Sequence, residues 1–323
     1  MKNINSPTLI LSLDFELLWG MRDAHNTADY GTNVLGGRAA IPTMLNLFQY
    51  HDIHATWAAV GFMFAETTDQ LRAYFPDESA LPAYENSKLS PYPAMSEIAS
   101  SDLAYWFAPE LIRQIAETPG QEIGSHTFSH YYCRETGQTV AQFEADMLAA
   151  KRIAEDKGYN LTSVVLPRNQ CEPEYTAVLA KLGFTAYRDE ENDWIHEKIR
   201  FRPLMRILRL MDVYIPLTGQ GGYIPQIENG IVNLVGSRMY KPYFKPLAFM
   251  ERLKIRRIKK QMLHAAKNGL TFHLWWHPHN IGVRTEFHLK QIEEILDYYE
   301  ILKEKYGMRS LNMREATQEV LDR

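Results

Sequence analysis

The chain lacks several features that would assign it to a specialised class of proteins. Its two cysteines, Cys133 and Cys171, are far apart and form no C-x-x-C pair, so we expect neither a disulfide framework nor a zinc-thiolate site. No run reaches the ~18 apolar residues that a transmembrane helix needs. The apolar run Leu9–Leu13 is short and leads into two acids, which favours a buried strand over a signal peptide. These absences predict a cytoplasmic protein.

An excess of charge of one sign is also missing. The formal net charge is −4 over 323 residues, which provides no overall attraction to nucleic acid or to an anionic membrane. Hydrophobic residues make up 46% of the chain and charged residues 23%, so a sizeable core can be buried. No linker or internal repeat divides the sequence, and we expect one domain over residues 1–323. The 18 tyrosines and 6 tryptophans could stack on sugar rings, although ordinary packing explains most of them.

Strand-like and helix-like patterns alternate along the chain. The predicted strands are Leu9–Asp14, Ile53–Val60, Glu122–Ser125, Leu161–Leu166, Phe184–Tyr187, Ile231–Val235 and Leu270–Trp276. The predicted helices are Arg38–Tyr50, Pro109–Glu117, Val140–Lys157, Glu174–Leu182, Ala248–Asn268 and Phe287–Tyr306. Two insertions, near 74–97 and 188–246, are predicted to be irregular. Alternation of this kind indicates an α/β fold with a parallel sheet wrapped by helices.

Two acids mark the end of the first predicted strand. Asp14 and Glu16 are two residues apart, so strand alternation places them on the same face. Paired carboxylates at the C-terminal mouth of a barrel strand are usually catalytic. A solvated strand end is the alternative interpretation, and it is weakened because an apolar strand brings both acids to one point.

Two histidines follow the third predicted strand, in the stretch S-H-T-F-S-H at 125–130. His126 and His130 are four residues apart and could bind one metal ion as neutral imidazoles. An H-x-x-x-H pattern often occurs by chance, but the preceding strand and Gly124 place this one at a strand–loop junction. Glu16 could supply a third ligand and leave positions for water and substrate.

Polar residues also follow two later strands. Arg168, just past the fourth predicted strand, could hold a carboxylate through a bidentate pair, although most arginines are surface residues. In the last predicted strand, alternation puts His273, Trp275 and His277 on one side, with His277 at the strand end. We expect His273 to be a hydrogen-bonded core residue and His279 to face solvent.

Taken in order, these clusters resemble the motifs of the polysaccharide deacetylase (NodB-homology, carbohydrate esterase family 4) superfamily. The S-H-T-F-S-H stretch is similar to the family's most diagnostic motif, and L-S-L-D-F-E, P-R-N-Q and L-W-W-H-P resemble three others. The resemblance implies a distorted (β/α) barrel with fewer than eight strands and an active site at the C-terminal mouth of the strands. It also implies a divalent metal ion and the removal of acetyl groups from sugars.

The same resemblance implies a role for each matching residue. Asp14 would be the general base, His277 would be the general acid that protonates the leaving amine, and Arg168 would orient and tune Asp14. His126 and His130 would be metal ligands. The expected ion is Zn²⁺, with Co²⁺, Ni²⁺ or Mn²⁺ as alternatives.

Two positions depart from the family pattern. Phe15 and Glu16 follow Asp14 where adjacent aspartates are usual, so the role of Glu16 as a ligand is an analogy. Pro167 precedes Arg168 where the arginine usually comes first. The register of the arginine motif is therefore open.

The substrate cleft is expected to draw on four further residues, for which structural roles are an equal alternative: Trp19, Arg22, Trp275 and Asp193. We predict a metal-dependent hydrolase that removes an acetyl group from an N-acetylated sugar in a polysaccharide or a lipid-linked saccharide. The alternatives are a deformylase or another C–N hydrolase of the same fold, or a catalytically silent carbohydrate-binding relative.

The segment 238–260 is strongly basic. It carries nine Lys or Arg residues and one acid, Glu251. A solvated helix face is one interpretation. The other is contact with anionic phosphate, either of a lipid-linked sugar diphosphate or of a membrane surface. The apolar stretch Leu204–Leu217, which carries Arg206 and Arg209, could lie beside this segment.

Overall fold

The computed structural model describes residues 6–190, 194–199 and 201–323. The strands are β1 (Thr8–Phe15), β2 (Ala55–Ala59), β3 (Gln121–Ser125), β4 (Ser163–Val165), β5 (Ala186–Arg188), β6 (Gln226–Glu228), β7 (Ile231–Asn233), β8 (Arg238–Met239), β9 (Thr271–Trp276) and β10 (Arg309–Ser310). The helices are α1 (Thr27–Tyr50), α2 (Thr68–Arg72), α3 (Pro109–Glu117), α4 (Val140–Asp156), α5 (Pro173–Lys181), α6 (Trp194–Lys198), α7 (Arg202–Tyr214), α8 (Glu251–Asn268), α9 (Thr285–Tyr306) and α10 (Met313–Leu321).

The strands form one mostly parallel sheet. Their order is β6-β7-β5-β4-β3-β2-β1-β9-β8, and β10 pairs with β1. Neighbours are parallel except for β6 and β7, which form an antiparallel pair. The segment that carries β7 and β8 pairs with β5 at its start and with β9 at its end. The α/β fold with a parallel sheet that the sequence predicts is therefore confirmed.

Strand β1 lies in the middle of the sheet between β2 and β9. All eight of its residues are buried. Leu9, Leu11 and Leu13 belong to the main hydrophobic core, whereas Ile10 packs in a second cluster on the opposite face. A strand covered on both faces needs a continuous apolar run, and such a strand places the acids at its end in the interior of the protein.

Helix α1 begins at Thr27, eleven residues before the predicted start at Arg38. Asn26 caps it, and Asn26 and Asp29 form a capping box. Gly36 and Gly37 argue against a helix on propensity, yet neither has room for a Cβ beside the turn at 278–282. Close packing between helix and turn therefore outweighs the low helix propensity of glycine.

The two insertions differ in structure. Residues 74–97 form short 3₁₀ turns. The segment 188–246 contains helix α7, which the sequence analysis did not predict, with Pro203 in its first turn. Among the described residues, no helix combines the length and the apolar character that crossing a bilayer requires.

Candidate active site

Three strand ends bring titratable side chains together at one edge of the sheet. Asp14 lies near the end of β1, Glu16 follows β1, His126 follows β3 and His277 follows β9. The carboxyl ends of parallel neighbours meet at one edge, which explains the grouping. Asp14 and Glu16 are each only 3% exposed, so the site has two buried carboxylates.

Glu16, His126 and His130 form a group that could hold a metal ion. Oε2 of Glu16 lies 3.1 Å from Nε2 of His126 and 2.9 Å from Nε2 of His130, and the three ligand atoms lie within 4.8 Å of one another. Nδ1 of His126 faces the carbonyl oxygen of Val165 at 2.8 Å, so a neutral His126 directs its Nε2 lone pair at the Glu16 carboxylate. That arrangement is repulsive unless a cation lies between them. One carboxylate and two imidazoles therefore fit a divalent transition-metal ion.

The protonation states of the group also suit a metal ion. Burial alone would raise the pKa of Glu16, but His277 outweighs it, and that pKa is held well below the usual range. Burial lowers the pKa of His130 to about 4. Glu16 is thus ionised and His130 neutral near pH 7, which are the forms that bind metal ions.

The ligand loop after β3 is held by helix α4. Thr127 and His130 adopt φ values of 64° and 59°, in the left-handed region that non-glycine residues seldom occupy. Asp146 of α4 accepts hydrogen bonds from the backbone N–H of Phe128, at 2.8 Å, and from the hydroxyl of Ser129. These bonds stabilise the loop conformation that directs both imidazoles inward.

Gly20 gives the Glu16 side chain its space. The backbone N–H of Trp19 donates to the carbonyl oxygen of Glu16 at 3.0 Å, and this turn brings the chain back against the carboxyl group. A Cβ at position 20 would overlap the carboxyl group of Glu16. A larger residue there would displace the carboxylate from the two histidines.

Arg188, the last residue of β5, forms a bidentate ion pair with Asp14. Its Nη1 and Nη2 lie 2.6 and 2.8 Å from Oδ1 and Oδ2, and it also donates to Ser12 and Asn169 at 2.9 Å each. Burial alone would raise the pKa of Asp14, but Arg188 outweighs it and lowers that pKa. Asp14 is therefore held ionised and in a fixed orientation. Arg188 is absent from the site residues predicted from the sequence.

Arg168 does not contact Asp14, contrary to the expectation from the sequence. It lies in a 3₁₀ turn with φ of 57°, and this backbone conformation directs its side chain to the rim of the site. There it donates to Asp23 and Glu135 at 2.8 Å each, and its side chain is 42% exposed.

His277 faces both carboxylates from the end of β9. Its Nε2 lies 3.6 Å from Oδ2 of Asp14 and 3.6 Å from Oε1 of Glu16. The side-chain amide of Asn280 lies 3.2 Å from its Nδ1. With 20% of its side chain exposed, His277 borders solvent where an entering group could exchange a proton with it.

The other two histidines of this stretch are both buried. His273 lies 2.7 Å from the hydroxyl of Ser12, and burial lowers its pKa to about 3, as expected for a core residue. His279 was expected to face solvent, but it is 3% exposed. The reason is its contact with α1, where a Cβ on Gly37 would lie 2.7 Å from the Cα of His279. Its Nε2 lies 3.8 Å from Oε1 of Glu16.

Trp19 and Arg22 contact protein where substrate contacts were expected. Trp19 is fully buried, and its indole N–H donates to the carbonyl oxygen of Trp106 at 2.7 Å. Because the ring is enclosed by other aromatic side chains, it cannot line an open cleft. Arg22 donates to the carbonyl oxygens of Lys88 and Leu89 and so ties the turn after β1 to the 74–97 insertion.

Trp275 is the expected substrate residue that remains accessible. It is half-buried, with the guanidinium of Arg188 4.1 Å from its ring centre and the ring of His277 at 5.8 Å. Asp193, the last of the expected substrate residues, lies outside the described residues.

A family model for polysaccharide deacetylases matches residues 22–187. The matched stretch includes His126 and His130 of the metal-ligand group. Asp14, Glu16 and His277 lie outside it. No curated protein matches the chain.

Solved structures share the fold. A Mycobacterium smegmatis protein described as a polysaccharide deacetylase matches with a TM-score of 0.61 and 14% identity, covering 100% of this chain and 93% of that one. A Pseudomonas aeruginosa PAO1 protein with the same description has a TM-score of 0.57 and 13% identity, covering 96% and 89%. A Puue allantoinase reaches a TM-score of 0.52 at 15% identity, covering 96% and 88%. At such identities the similarity concerns the fold and not the reaction.

Proposed function

Because the chain belongs to the polysaccharide deacetylase family, we propose that it is a metal-dependent hydrolase that removes an acetyl group from an N-acetylated sugar. One observation carries the proposal: the Glu16–His126–His130 group adjoins an ionised Asp14 and an accessible His277. A ligand group, a base and an acid at one strand edge are what hydrolysis of an amide requires. We also propose that residues 1–323 form one catalytic domain.

Glu16, His126 and His130 would hold the metal ion. A divalent ion, in the first place Zn²⁺, supplies Lewis acidity that polarises the acetyl carbonyl and makes water a better nucleophile near neutral pH. The hydrogen bond from Nδ1 of His126 to Val165 fixes the tautomer whose Nε2 can bind a metal. Gly20 leaves room for Glu16 in this group.

Asp14 and His277 would move the protons of the reaction. Asp14, kept ionised by Arg188, takes a proton from the water whose oxygen adds to the acetyl carbon. His277 gives a proton to the sugar nitrogen as the C–N bond breaks, so that acetate and a free amine are the products. Acid and base lie on different strands, with Nε2 of His277 3.6 Å from Oδ2 of Asp14, which allows one acetamido group to contact both.

The test measures acetate release and metal content together. With N-acetylglucosamine oligosaccharides as substrates, Asp14→Asn is expected to lower acetate release at least about a hundredfold while the bound metal remains. His126→Ala is expected to remove both metal and activity. Asp297→Asn, at an exposed position of α9, is the matched control and should leave both unchanged.

Other outcomes would overturn parts of this proposal. Release of formate from an N-formyl sugar without acetate from the acetyl sugar would make the protein a deformylase. Tight saccharide binding without release of either acid would make it a silent carbohydrate-binding relative. A wild-type protein without bound metal that still released acetate would contradict the metal dependence.

We further propose that the saccharide is lipid-linked and that the protein meets a membrane at the outer faces of α7 and α8. Within the basic segment 238–260, Arg238 and Arg257 pair with Asp212, and Lys254 pairs with Glu251. These cations stabilise the fold and are not available to a membrane. The contact with phosphate or membrane that the sequence predicted for segment 238–260 is therefore limited to the cations that remain exposed.

The exposed part combines cations with apolar side chains. Phe249 is 81% exposed in the 3₁₀ turn just before α8. Arg252, Arg256 and Lys260 follow in α8 at spacings that keep them on one helix face. Three exposed apolar residues of α7 have a similar spacing: Leu204, Ile207 and Met211. We call these seven residues the α7–α8 surface. Such a combination suits the interface of an anionic bilayer. A cytoplasmic location stays a prediction, which subcellular fractionation would test.

A further inference from the structure

A cavity of about 480 Å³ lies beside the candidate active site. Trp275 belongs to both, since it lines the cavity and Arg188 of the Asp14 pair lies 4.1 Å from its ring centre. Gly236 also lines the cavity, and a Cβ there would lie 2.9 Å from Nε1 of Trp275. Trp275 and Arg188 thus connect the cavity wall to Asp14, the proposed base.

The charged side chains of the cavity wall are mostly positive. Its described residues include four cations and two acids: Arg206, Arg209, Arg238, Lys241, Glu190 and Asp212. Each acid is already paired, because Glu190 lies 2.5 Å from Arg209 and Asp212 lies 2.8 Å from Arg238. Asp212 also pairs with Arg257 of α8 at 2.8 Å. Among the wall residues that the structure describes, no acid is left to neutralise the remaining cations.

Arg206 and Lys241 are those remaining cations. Within the part of the chain that the structure describes, neither has an acidic partner within ion-pair distance. Both residues are exposed to solvent. Clustered cations of this kind repel one another, and a bound anion would relieve the repulsion.

Most of the other described wall residues are apolar, although Thr218 and Ser237 add hydroxyl groups. Leu210 and Val213 come from α7, Met239 comes from β8, and Phe244 and Trp275 add aromatic rings. A bare inorganic ion would leave these side chains unused. An organic ligand with one anionic group would contact both parts of the wall.

We propose that this cavity is a subsite for a phosphate group attached to the sugar substrate. The inference rests on the proposed function, because it places the acetamido group at the metal-ligand group and the phosphate beyond Trp275. An arginine fork and a lysine ammonium are the usual partners of phosphate oxygens. The apolar part of the wall would contact whatever the phosphate links to the sugar.

The first experiment measures phosphate binding without any turnover. Inorganic phosphate is titrated into the full-length protein by calorimetry at low ionic strength, in the His126→Ala background so that the metal-ligand group cannot contribute. Adding Arg206→Gln and Lys241→Gln is expected to weaken phosphate binding about tenfold or more. Lys305→Gln, at an exposed site on α9, should change it less than about twofold. Equal affinity in all variants, or no binding in the His126→Ala background, would overturn the subsite.

The second experiment measures which substrates bind better because they carry a phosphate group. Acetate release is compared for N-acetylglucosamine, its 1-phosphate, and the sugar linked through a diphosphate to a short prenyl chain. A lower KM for both phosphorylated substrates, lost on Arg206→Gln and Lys241→Gln, supports the subsite. A further gain for the prenyl substrate identifies a lipid-linked source, whereas equal KM values for the two phosphorylated forms identify a soluble sugar phosphate. Equal KM for all three would overturn the proposal.

The two proposals fail in distinguishable ways. If acetate is released equally from substrates with and without phosphate, the proposed hydrolase activity is supported and the phosphate subsite is contradicted. If phosphate binding depends on Arg206 and Lys241 but the protein releases no acetate, the subsite is supported and the hydrolase activity is contradicted.

Discussion

Two arginines near the candidate active site differ in what they contact. Arg188 is buried and gives both ends of its guanidinium to Asp14. Arg168 is 42% exposed and pairs with Asp23 and Glu135 at the rim. Exposed pairs contribute about 0–1 kcal/mol, whereas a buried bidentate pair also fixes geometry. Arg188 is therefore the residue that positions the proposed base.

Matched substitutions of the two arginines by lysine test this assignment. Lysine keeps the charge but lacks the planar fork, so Arg188→Lys is expected to lower kcat about a hundredfold because Asp14 loses its fixed orientation. Arg168→Lys should stay within about threefold of the wild type. Steady-state acetate release gives kcat and KM, and metal content with thermal unfolding shows that each variant is folded and loaded. If Arg168→Lys lowered kcat more than Arg188→Lys did, Arg168 would be the residue that positions Asp14, as the motif resemblance implies.

The residues that sequence reasoning could place are those fixed by strand geometry. Alternation along β1 put Asp14 and Glu16 together, and the shared edge of parallel strands added His126 and His277. Arg188 directly follows the predicted strand Phe184–Tyr187, and this position at a strand end is the signal that could have marked it as a site residue. Its pairing with Asp14 could not be predicted, because that pair depends on how far β5 lies from β1 across the sheet.

Helix α4 holds the loop that carries both histidines of the candidate metal site. Asp146 is buried in the middle of α4 and accepts from the backbone of Phe128 and the hydroxyl of Ser129. The loop between β3 and α4 contains two non-glycine residues with positive φ. Strain of about 1–3 kcal/mol for each such residue must be offset by the surroundings, and the Asp146 contacts are the visible source.

Removing the acceptor character of Asp146 is expected to weaken the metal site without unfolding the protein. Asp146→Asn keeps the size but places an amide N–H where an acceptor is needed, so metal affinity should fall about 10- to 100-fold. Competition with a chromophoric chelator measures this affinity. Asp156→Asn, on the exposed last turn of the same helix, is the control and should match the wild type. Unchanged affinity in Asp146→Asn would show that the loop conformation does not depend on α4.

Element boundaries were predictable where periodicity acted alone. Helix α3 starts and ends at the predicted residues, Pro109 and Glu117. The first half of α1 was missed because its glycines are explained only by tertiary contacts, Gly36 and Gly37 with the turn at 278–282 and Gly31 with Tyr105. Helix α7 was missed because Leu204, Ile207 and Met211 lie on its exposed side. Its apolar residues therefore do not mark a face that packs against the core.

The net charge of −4 is unevenly distributed over the surface of the molecule. The α7–α8 surface combines three exposed cations with four exposed apolar residues, and the cavity proposed to bind phosphate is lined by residues of α7 and β8. Overall composition could not predict this, because the basic segment 238–260 divides into paired internal cations and free external ones only after folding. A protein with this distribution can approach an anionic bilayer with one side while its total charge remains negative.

Charge reversal on the α7–α8 surface tests whether that side meets a membrane. Each cation near an anionic bilayer contributes about 1 kcal/mol, so Arg252→Glu, Arg256→Glu and Lys260→Glu together should weaken binding to vesicles containing phosphatidylglycerol by about a hundredfold or more. The control reverses three exposed cations elsewhere, Arg72, Arg113 and Lys305, with the same change in net charge. Vesicle co-sedimentation at two salt concentrations measures both.

The apolar residues of the α7–α8 surface are expected to contribute to vesicle binding independently of charge. Phe249→Ser removes the most exposed ring of the surface without changing charge, so its effect on vesicle binding should persist at high salt, where electrostatic attraction is screened. If the control triple variant loses binding as strongly as the surface variant, the attraction is non-specific. If neither triple variant loses binding, the attraction to the vesicle does not depend on these cations. A loss confined to the surface variants would place the opening of the phosphate-binding cavity beside the bilayer that carries a lipid-linked substrate.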